Sequence, residues 1–203
     1  DRQPAVWSNE GGLEDEAIEL MTRDEARGWV NMMNAGSTIT MEAWDIKFKP
    51  NLDWNHAWGA APANIIPRFV LGVRPLEPGF GKILIRPQVG SLEGVQGTVP
   101  TVRGPVEVGV RRDGGRSYRL TVTVPVNATA RVELPPLPAV TGRELSLDGR
   151  PVKPAAEGGR LVVDNVGSGQ HTVLWQEGVT CESSGVIGGL KTFGAGLRGL
   201  LPF

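Results

Sequence analysis

Residues 38–59, with the sequence TITMEAWDIKFKPNLDWNHAWG, gather side chains whose types could do chemistry on a sugar. The stretch contains three carboxyls (Glu42, Asp45 and Asp53), one of the two histidines (His56) and three of the six tryptophans (Trp44, Trp54 and Trp58). An indole offers an apolar face to the C–H face of a sugar ring, and a nearby carboxylate can accept hydroxyl protons or activate water. Tryptophans beside acids also occur at packed junctions. From residue types alone, both interpretations remain open.

The composition excludes several other classes of function. Formal net charge is -1 over 203 residues, and no run of Lys or Arg is present, so we expect no nucleic-acid partner. No apolar stretch approaches the roughly 18 residues of a membrane span, so we expect no membrane insertion. Two histidines and the lone Cys181 cannot form a Cys/His zinc cluster, and no acidic calcium loop is recognisable. We therefore expect neither a metal nor a cofactor.

The elements that must position these side chains are predicted to be helical before residue 75. GGLEDEAIELM is acidic in its first turn, as suits a helix N-terminus. In TRDEARGWVNMMNAG, Thr22 and Glu25 have the spacing of a capping box, and Gly36 fits the left-handed position after a helix. AAPANIIPRFVLG predicts a third helix, which Pro67 kinks or shortens and Gly72 ends.

Two apolar stripes are predicted to form the core of this helical half. Trp29, Met32 and Met33 recur at helical spacing. In the third helix, the side predicted to be buried carries Ile65, Ile66, Phe69 and Val70. Three helices with apolar faces this wide cannot bury them alone, which indicates a larger helical assembly.

From about Leu76 the apolar pattern changes to period two and predicts short strands in KILIRP, PVEVGVRRDGGRSYRLTVTVP, NATARVELP, ELSLDGR, RLVVDN and QHTVLWQ. In YRLTVTV, residues Leu120, Val122 and Val124 share one face, while Arg119, Thr121 and Thr123 share the other. Asp113-Gly114-Gly115 and Asp148-Gly149 predict hairpin turns. The predicted fold of this half is an antiparallel β-sandwich without a catalytic constellation, in which His171 is structural.

The predicted organisation is a helical segment at 1–75, a β-sandwich at 76–176 and a tail at 177–203. The glycines of the tail prevent a firm helix prediction, and no function is assigned to it. The chain begins DRQPAVWSNEGG, without Met or a leader-like segment, so we expect either processing or a piece of a longer protein.

The order of several motifs identifies a family resemblance. GSTITMEAWD, NHAWGA, PLEPGFGKILIRPQ and GTVPTVRGPVEV follow one another between residue 28 and about residue 175. In this order they resemble the C-terminal part of bacterial α-L-rhamnosidases of glycoside hydrolase family 78. The resemblance implies the last helices of an (α/α)6 barrel followed by a C-terminal antiparallel β-sandwich, with the remainder of the catalytic barrel missing from this chain.

The resemblance also implies a reaction and roles for particular residues. The family removes terminal α-L-rhamnose with inversion, which requires a general acid and a general base. Glu42 matches the family's general base, whereas the general acid has no counterpart here. His56 matches a sugar-contacting histidine, and Trp44 is expected to wall the site. Trp54 and Trp58 are weaker candidates for sugar contact.

Two acidic residues near Glu42 have simpler expected roles. Asp45 could be a second carboxyl, but the family pattern disfavours this, and a cap or loop role is expected instead. Asp53 is expected to be a turn residue.

The expected partner is a rhamnose-containing glycan or glycoside, and the isolated chain is expected to be inactive. Two alternatives remain. One is a non-catalytic carbohydrate-binding or structural β-sandwich module, although its strands show no exposed aromatic platform. The other is a structural remnant of a decayed gene. A periplasmic or secreted location is weakly favoured by the family alone.

Overall fold

The computed structural model of the protein describes residues 12–113, 116–137 and 143–177. Its first part contains short helices: α1 (Glu14–Thr22), α2 (Trp29–Asn34), a 3₁₀ turn (Ala57–Ala60), α3 (Ala61–Ile65) and a π-helical turn (Ile66–Val70). A second 3₁₀ turn covers Pro78–Phe80. No helix in the described part of the chain is long and apolar enough to span a membrane.

The predicted capping box is wrong, whereas the predicted helix end at Gly36 is confirmed. Thr22 is the last residue of α1, and its hydroxyl donates back to the Ile18 carbonyl at 2.9 Å, so it does not cap the next helix. Helix α2 starts after Gly28 without a side-chain cap. Gly36 has φ +83°, and the Gly36 and Ser37 amides donate to Met33 and Met32, which is a Schellman motif.

The third helix is interrupted near Pro67, as predicted. Because proline has no N–H and its ring crowds the preceding turn, α3 stops at Ile65 and the chain continues as one π-helical turn. The turn ends at Gly72, whose φ is +73°. A Cβ on Gly72 would lie 2.1 Å from both the carbonyl carbon and the oxygen of Arg86, so only glycine fits this approach to the sandwich.

Each predicted apolar stripe is only partly buried. Met32 is buried and Trp29 is partly buried, but Met33 is 71% exposed. In the third helix Ile66 is 44% exposed, and Ile65, Phe69 and Val70 form a small core with Ala17 and Ala61. Met33 and Ile66 were therefore wrongly placed in the core. Because the helices are short, one side of each apolar stripe packs against no other element in the described part of the chain.

The structure describes eleven strands, of which eight follow or extend the predicted ones. They are β1 (Val73–Pro75), β2 (Lys82–Ile85), β3 (Gly94–Thr101), β4 (Gly104–Asp113), β5 (Ser117–Val124), β6 (Thr129–Leu134), β7 (Arg143–Leu147), β8 (Arg150–Pro151), β9 (Ala155–Glu157), β10 (Arg160–Val166) and β11 (Gly169–Glu177), all within the described residues. Strands β1, β3 and β9 were not predicted.

The strands form two sheets. One has the order β1-β2-β6-β10-β9, and the other has the order β3-β4-β5-β11-β7-β8. Their pairs are antiparallel except that β2 runs parallel to β6, with Ile83 opposite Ala130. The prediction of a wholly antiparallel sandwich is corrected at that pair, because the connection from β2 to β6 passes through the other sheet.

A continuous apolar core fills the space between the sheets. Val106, Val108 and Val110 of β4 and Leu120, Val122 and Val124 of β5 are all buried. Thr121 and Thr123 lie on the opposite face of β5 and are partly exposed, as the alternation predicted. This arrangement is a β-sandwich rich in antiparallel pairs.

One predicted hairpin turn is described and confirmed. Asp148 and Gly149 have φ values of +52° and +76° and join β7 to β8, as a type I′ turn requires. The predicted turn at Gly114-Gly115 lies outside the described residues, although Asp113 and Ser117 pair across it. The tail lies outside the described residues from residue 178 onward, Cys181 included.

Candidate functional site

Glu42 and His56 lie on two neighbouring backbone stretches in front of α3. The Glu42 amide donates to the Asp53 carbonyl at 2.8 Å, and the His56 amide donates to the Thr40 carbonyl at 2.9 Å. The Thr40 hydroxyl returns a bond to the His56 carbonyl at 2.9 Å. These contacts hold residues 40–42 beside residues 53–56 without regular strand geometry. Two candidates that are 14 residues apart in sequence are thereby brought onto adjacent stretches.

The loop between the two stretches is folded by Asp45. Its carboxylate accepts the Lys47 amide at 3.0 Å, and its carbonyl accepts the Phe48 amide at 3.0 Å. The Asn31 side-chain amide also donates to this carboxylate at 3.3 Å. The Lys47 amide, followed by the Asn31 side chain, lowers the pKa of the Asp45 carboxyl. Asp45 thus organises a turn, as a loop residue does.

Both oxygens of the Glu42 carboxylate accept hydrogen bonds. The Lys49 ammonium donates to Oε1, and the Asp53 amide donates to Oε2 at 3.1 Å. The bond from Lys49, followed by the bond from the Asp53 amide, lowers the pKa of Glu42, while burial opposes this. The Glu42 side chain is 20% exposed. It is therefore an ionised carboxylate at neutral pH with some access to water.

Trp44 follows Glu42 by two residues and packs on a small apolar cluster. Its ring meets the Trp29 ring edge to face, with centroids 4.7 Å apart and planes at 90°. The Asn31 amide donates to the Trp44 carbonyl at 2.7 Å, and the Trp29 indole donates to the Gly59 carbonyl at 2.6 Å. The cluster below consists of Met32, Met41 and Leu52. Trp44 is therefore held firmly and is partly exposed.

The remaining candidates lie on the second stretch and just after it. The side chain of His56 is 38% exposed, and its Nδ1 lies 3.9 Å from Asp53 Oδ2. Asp53 Oδ1 accepts the Asn55 amide at 3.2 Å, which confirms its predicted role in a turn. Trp54 is 45% exposed. Trp58 belongs to the 3₁₀ turn, and its side chain lies outside the described part of the structure.

The second histidine, His171, has different surroundings. His171 Nδ1 lies 2.8 Å from Asp148 Oδ2 and Nε2 lies 3.0 Å from the Gly167 carbonyl, so its ring ties together a strand and two turns, as a structural histidine does. Within the described residues, no three His, Cys, Asp or Glu side chains are close enough to hold a metal ion.

The structure adds two residues that the sequence interpretation missed. Lys49 contacts Glu42, and Asn31 bridges α2 to both Trp44 and Asp45. The only signal for Lys49 was a basic residue seven positions after the glutamate with Pro50-Asn51 behind it. Nothing in the spacing of Asn31 indicated its contacts. Lys49 thus holds an anionic, partly exposed carboxylate, which can accept a proton from water, and Asn31 fixes the backbone at Trp44 two residues further on.

Two protein-family models match the chain. Residues 6–70 match the bacterial α-L-rhamnosidase six-hairpin glycosidase domain, and residues 72–145 match the bacterial α-L-rhamnosidase C-terminal domain. An α-L-rhamnosidase of Alteromonas sp. (strain LOR) is 32% identical over 131 residues, which is 60% of this chain and 14% of that protein.

Solved structures resemble the fold over most of the chain. The α-L-rhamnosidase from Dictyoglumus thermophilum aligns with a TM-score of 0.71 and 21% identity, over 83% of this chain and 19% of that one. The Streptomyces avermitilis α-L-rhamnosidase complexed with L-rhamnose aligns with a TM-score of 0.65 and 25% identity, over 82% and 16%. The chain thus spans less than a fifth of each of these relatives. With both domain models matched in order, the chain belongs to the bacterial α-L-rhamnosidases, glycosidases of which it represents the C-terminal portion.

Proposed function

We propose that this chain supplies the general base of an inverting α-L-rhamnosidase, and that the base is Glu42. On this proposal, the helical segment is the last part of an (α/α)6 barrel and faces a terminal rhamnosyl residue. The observation that carries the proposal is the state of the Glu42 carboxylate. It is ionised, partly exposed and held at both oxygens, with His56 near enough to favour its charge.

The chemical step needs two carboxyl groups on opposite sides of the sugar. In an inverting glycosidase they lie roughly 6.5–9.5 Å apart, which leaves room for a water molecule. Glu42 removes a proton from that water as its oxygen attacks the anomeric carbon. The general acid, supplied from outside this chain, protonates the departing oxygen. The proton taken from water ends on Glu42 and the leaving group departs as an alcohol.

The electrostatics of Glu42 suit a base and not an acid. A carboxyl that protonates a leaving group must keep its proton at working pH, which requires a raised pKa. The pKa of Glu42 is lowered by the contacts of Lys49 and the Asp53 amide. A carboxylate also offers about four lone-pair positions, of which these two donors occupy two. We place the attacking water at the lone-pair positions that remain.

Sugar contacts are assigned to the side chains around Glu42. The half-exposed His56 ring is placed on a sugar hydroxyl, and the Trp44 ring forms a wall against the apolar side of the sugar. Trp54, exposed on the same stretch, is a secondary contact. Asp45 is left out, because its carboxylate already serves the loop.

The test is a matched pair of substitutions in the complete protein that carries this segment, assayed on an aryl α-L-rhamnoside. Glu42→Gln keeps the shape of the side chain and removes the base, so we expect kcat to fall by about 10² to 10⁴-fold. Glu25→Gln changes an exposed acid in the same half and should leave kcat within about twofold. NMR of the first product should show the β-anomer.

Three outcomes would contradict the proposal. Full activity in Glu42→Gln removes this residue from the mechanism, and a first product with retained configuration removes the inverting step. The third concerns the isolated 203-residue chain, which should show no hydrolysis because it lacks the general acid. Turnover by the isolated chain would show that both carboxyls lie within it.

A further inference from the structure

Lys49 contacts the candidate base from the middle of the 45–52 loop. Its ammonium donates to Glu42 Oε1 on the side of the carboxylate opposite the Asp53 amide. The loop places it there through three backbone or carboxylate contacts: the Phe48 amide to the Asp45 carbonyl, the Lys47 amide to the Asp45 carboxylate, and the Leu52 amide to the Lys49 carbonyl at 3.0 Å. The Lys49 side chain is 40% exposed, so it forms one wall of a wet surface.

We propose that Lys49 is a positioning residue for the proposed base: it fixes the orientation of the Glu42 carboxylate and keeps it ionised in acidic solution. This inference rests on the proposed function of Glu42. A carboxylate held by one donor could rotate about its terminal bond. A second donor on the other oxygen fixes the plane, and with it the direction of the remaining lone pairs toward water.

The charges that face Glu42 support this role. Lys49 is the largest influence and lowers the pKa of Glu42 through its hydrogen bond, followed by the Asp53 amide. His56 adds a smaller attraction when protonated, and the Asp53 carboxylate lies beside His56 at 3.9 Å. Lys47 faces Asp45 instead, with its Nζ 3.5 Å from the carboxylate. Lys47 therefore provides a matched control of the same residue type two positions away.

The Lys49 contact has two opposing effects on catalysis. An ammonium beside the base disfavours the protonated product of proton transfer and thus weakens the base slightly. The same contact keeps the base available in acid. Removing the Lys49 charge should therefore reduce activity by a larger factor at acidic pH than at neutral pH, where only the loss of orientation acts. A residue that merely supported the fold would reduce the rate by the same factor at every pH.

The first experiment measures Glu42 directly in the 203-residue chain, without any assay of activity. Side-chain carboxyl carbons are titrated by ¹³C NMR, with Glu42 assigned by its absence in Glu42→Gln. In Lys49→Gln the titration midpoint of Glu42 should move upward, and Lys49→Arg should restore most of the original value. Lys47→Gln should leave it unchanged. If the titration midpoint of Glu42 is unchanged in Lys49→Gln, the inference is overturned, whether or not Glu42 is the catalytic base.

The second experiment uses the complete protein and the pH profile of kcat/KM. Relative to the unmodified protein, the loss of activity in Lys49→Gln should be about three- to tenfold larger at pH 4 than at pH 7, with KM unchanged. A uniform loss at both pH values, not rescued by Lys49→Arg, would show a structural role and overturn the inference. Loss of the base in Glu42→Gln is measured separately, so the two proposals can fail independently.

Discussion

At the scale of single residues, the two histidines have different surroundings, which agree with the binding role proposed for His56 and the structural role of His171. His56 lies 3.9 Å from Asp53 and leaves more than a third of its side chain exposed. His171 lies 2.8 Å from Asp148, with its second nitrogen 3.0 Å from the Gly167 carbonyl. Asp148 also accepts the Thr172 amide at 2.8 Å, and these two bonds lower the pKa of its carboxyl, the His171 bond more.

Asp148→Asn tests what this carboxylate contributes to stability. Asparagine tolerates the φ of +52° at this turn, so the substitution removes the charge and keeps the backbone. Because Asp148 has a lowered pKa in the folded state, its contribution is full above the unfolded pKa, near 3.9, and is lost as pH falls through the folded pKa. The side chain is 46% exposed, so we expect about 0.5–1 kcal/mol at pH 6.

Urea unfolding at a series of pH values measures this contribution. The difference in unfolding free energy between the original chain and Asp148→Asn should shrink as pH falls from 5 toward 2. A difference that stays constant over this range would show that ionisation of Asp148 is not its source. The exposed Asp53→Asn, also in a turn, serves as the comparison.

At the scale of elements, two glycines end helices for different physical reasons. Gly36 has φ +83°, and no atom lies within 4 Å of the position that an added methyl group would take, so its requirement is backbone conformation alone. Gly72 has φ +73° and in addition sits against the backbone of Arg86, whose amide donates to the Gly72 carbonyl at 2.9 Å. Gly72 is therefore the point at which the helical half is joined tightly to the sandwich.

Gly72→Ala and Gly36→Ala separate these two costs. Both place alanine in the left-handed region, which costs about 1–2 kcal/mol. Gly72→Ala additionally forces its methyl onto a backbone group that cannot rotate away, so we expect a loss at least about 2 kcal/mol larger than in Gly36→Ala. Chemical denaturation measures both values. Equal losses of unfolding free energy in the two variants would show that the backbone at Arg86 moves away from the added methyl group without a measurable cost.

The strands show how far the sequence determines the fold. Alternation of apolar and polar residues was sufficient to predict the strands β4, β5, β6, β10 and β11. It failed for β3, GVQGTVPT, where glycine stands between the inward-facing Val95 and Val99 and interrupts the apolar pattern. Only glycine fits at position 97, because Leu71 occupies the space that a side chain would need. Tertiary contact, which a local pattern cannot contain, therefore decides this strand.

The candidate site was predictable to a similar extent. Glu42, Trp44 and His56 were selected from motif order, and the structure brings their backbone stretches together. The contact of Lys49 was not predictable, because it depends on the turn built by Asp45 and on the exposure of both partners. The Thr22 capping box failed for a related reason, since a hydroxyl can bond within its own helix as well as ahead of it.

At the scale of the whole molecule, apolar exposure is distributed unequally. Large apolar side chains that are more than 40% exposed are concentrated before residue 67: Leu13, Met33, Ile39, Ile46, Phe48, Trp54 and Ile66. The described part of the sandwich adds Leu76, Val102 and Val126. Because relatives are at least five times longer than the aligned part, we attribute the unequal distribution to surfaces that the rest of such a protein would cover.

The isolated chain should therefore self-associate through its helical half. Met33 and Ile46 are 71% and 52% exposed, and replacing both with glutamine removes apolar surface without opening a core. We expect Met33→Gln with Ile46→Gln to shift the sedimentation velocity profile toward monomer and to change the unfolding free energy by less than about 1 kcal/mol. The matched control replaces Val102 and Val126 with glutamine as well. These two side chains lie in turns of the sandwich and are 81% and 73% exposed. An equal shift in that control would mean that exposed apolar area anywhere drives association, and that the helical half has no special unpaired face.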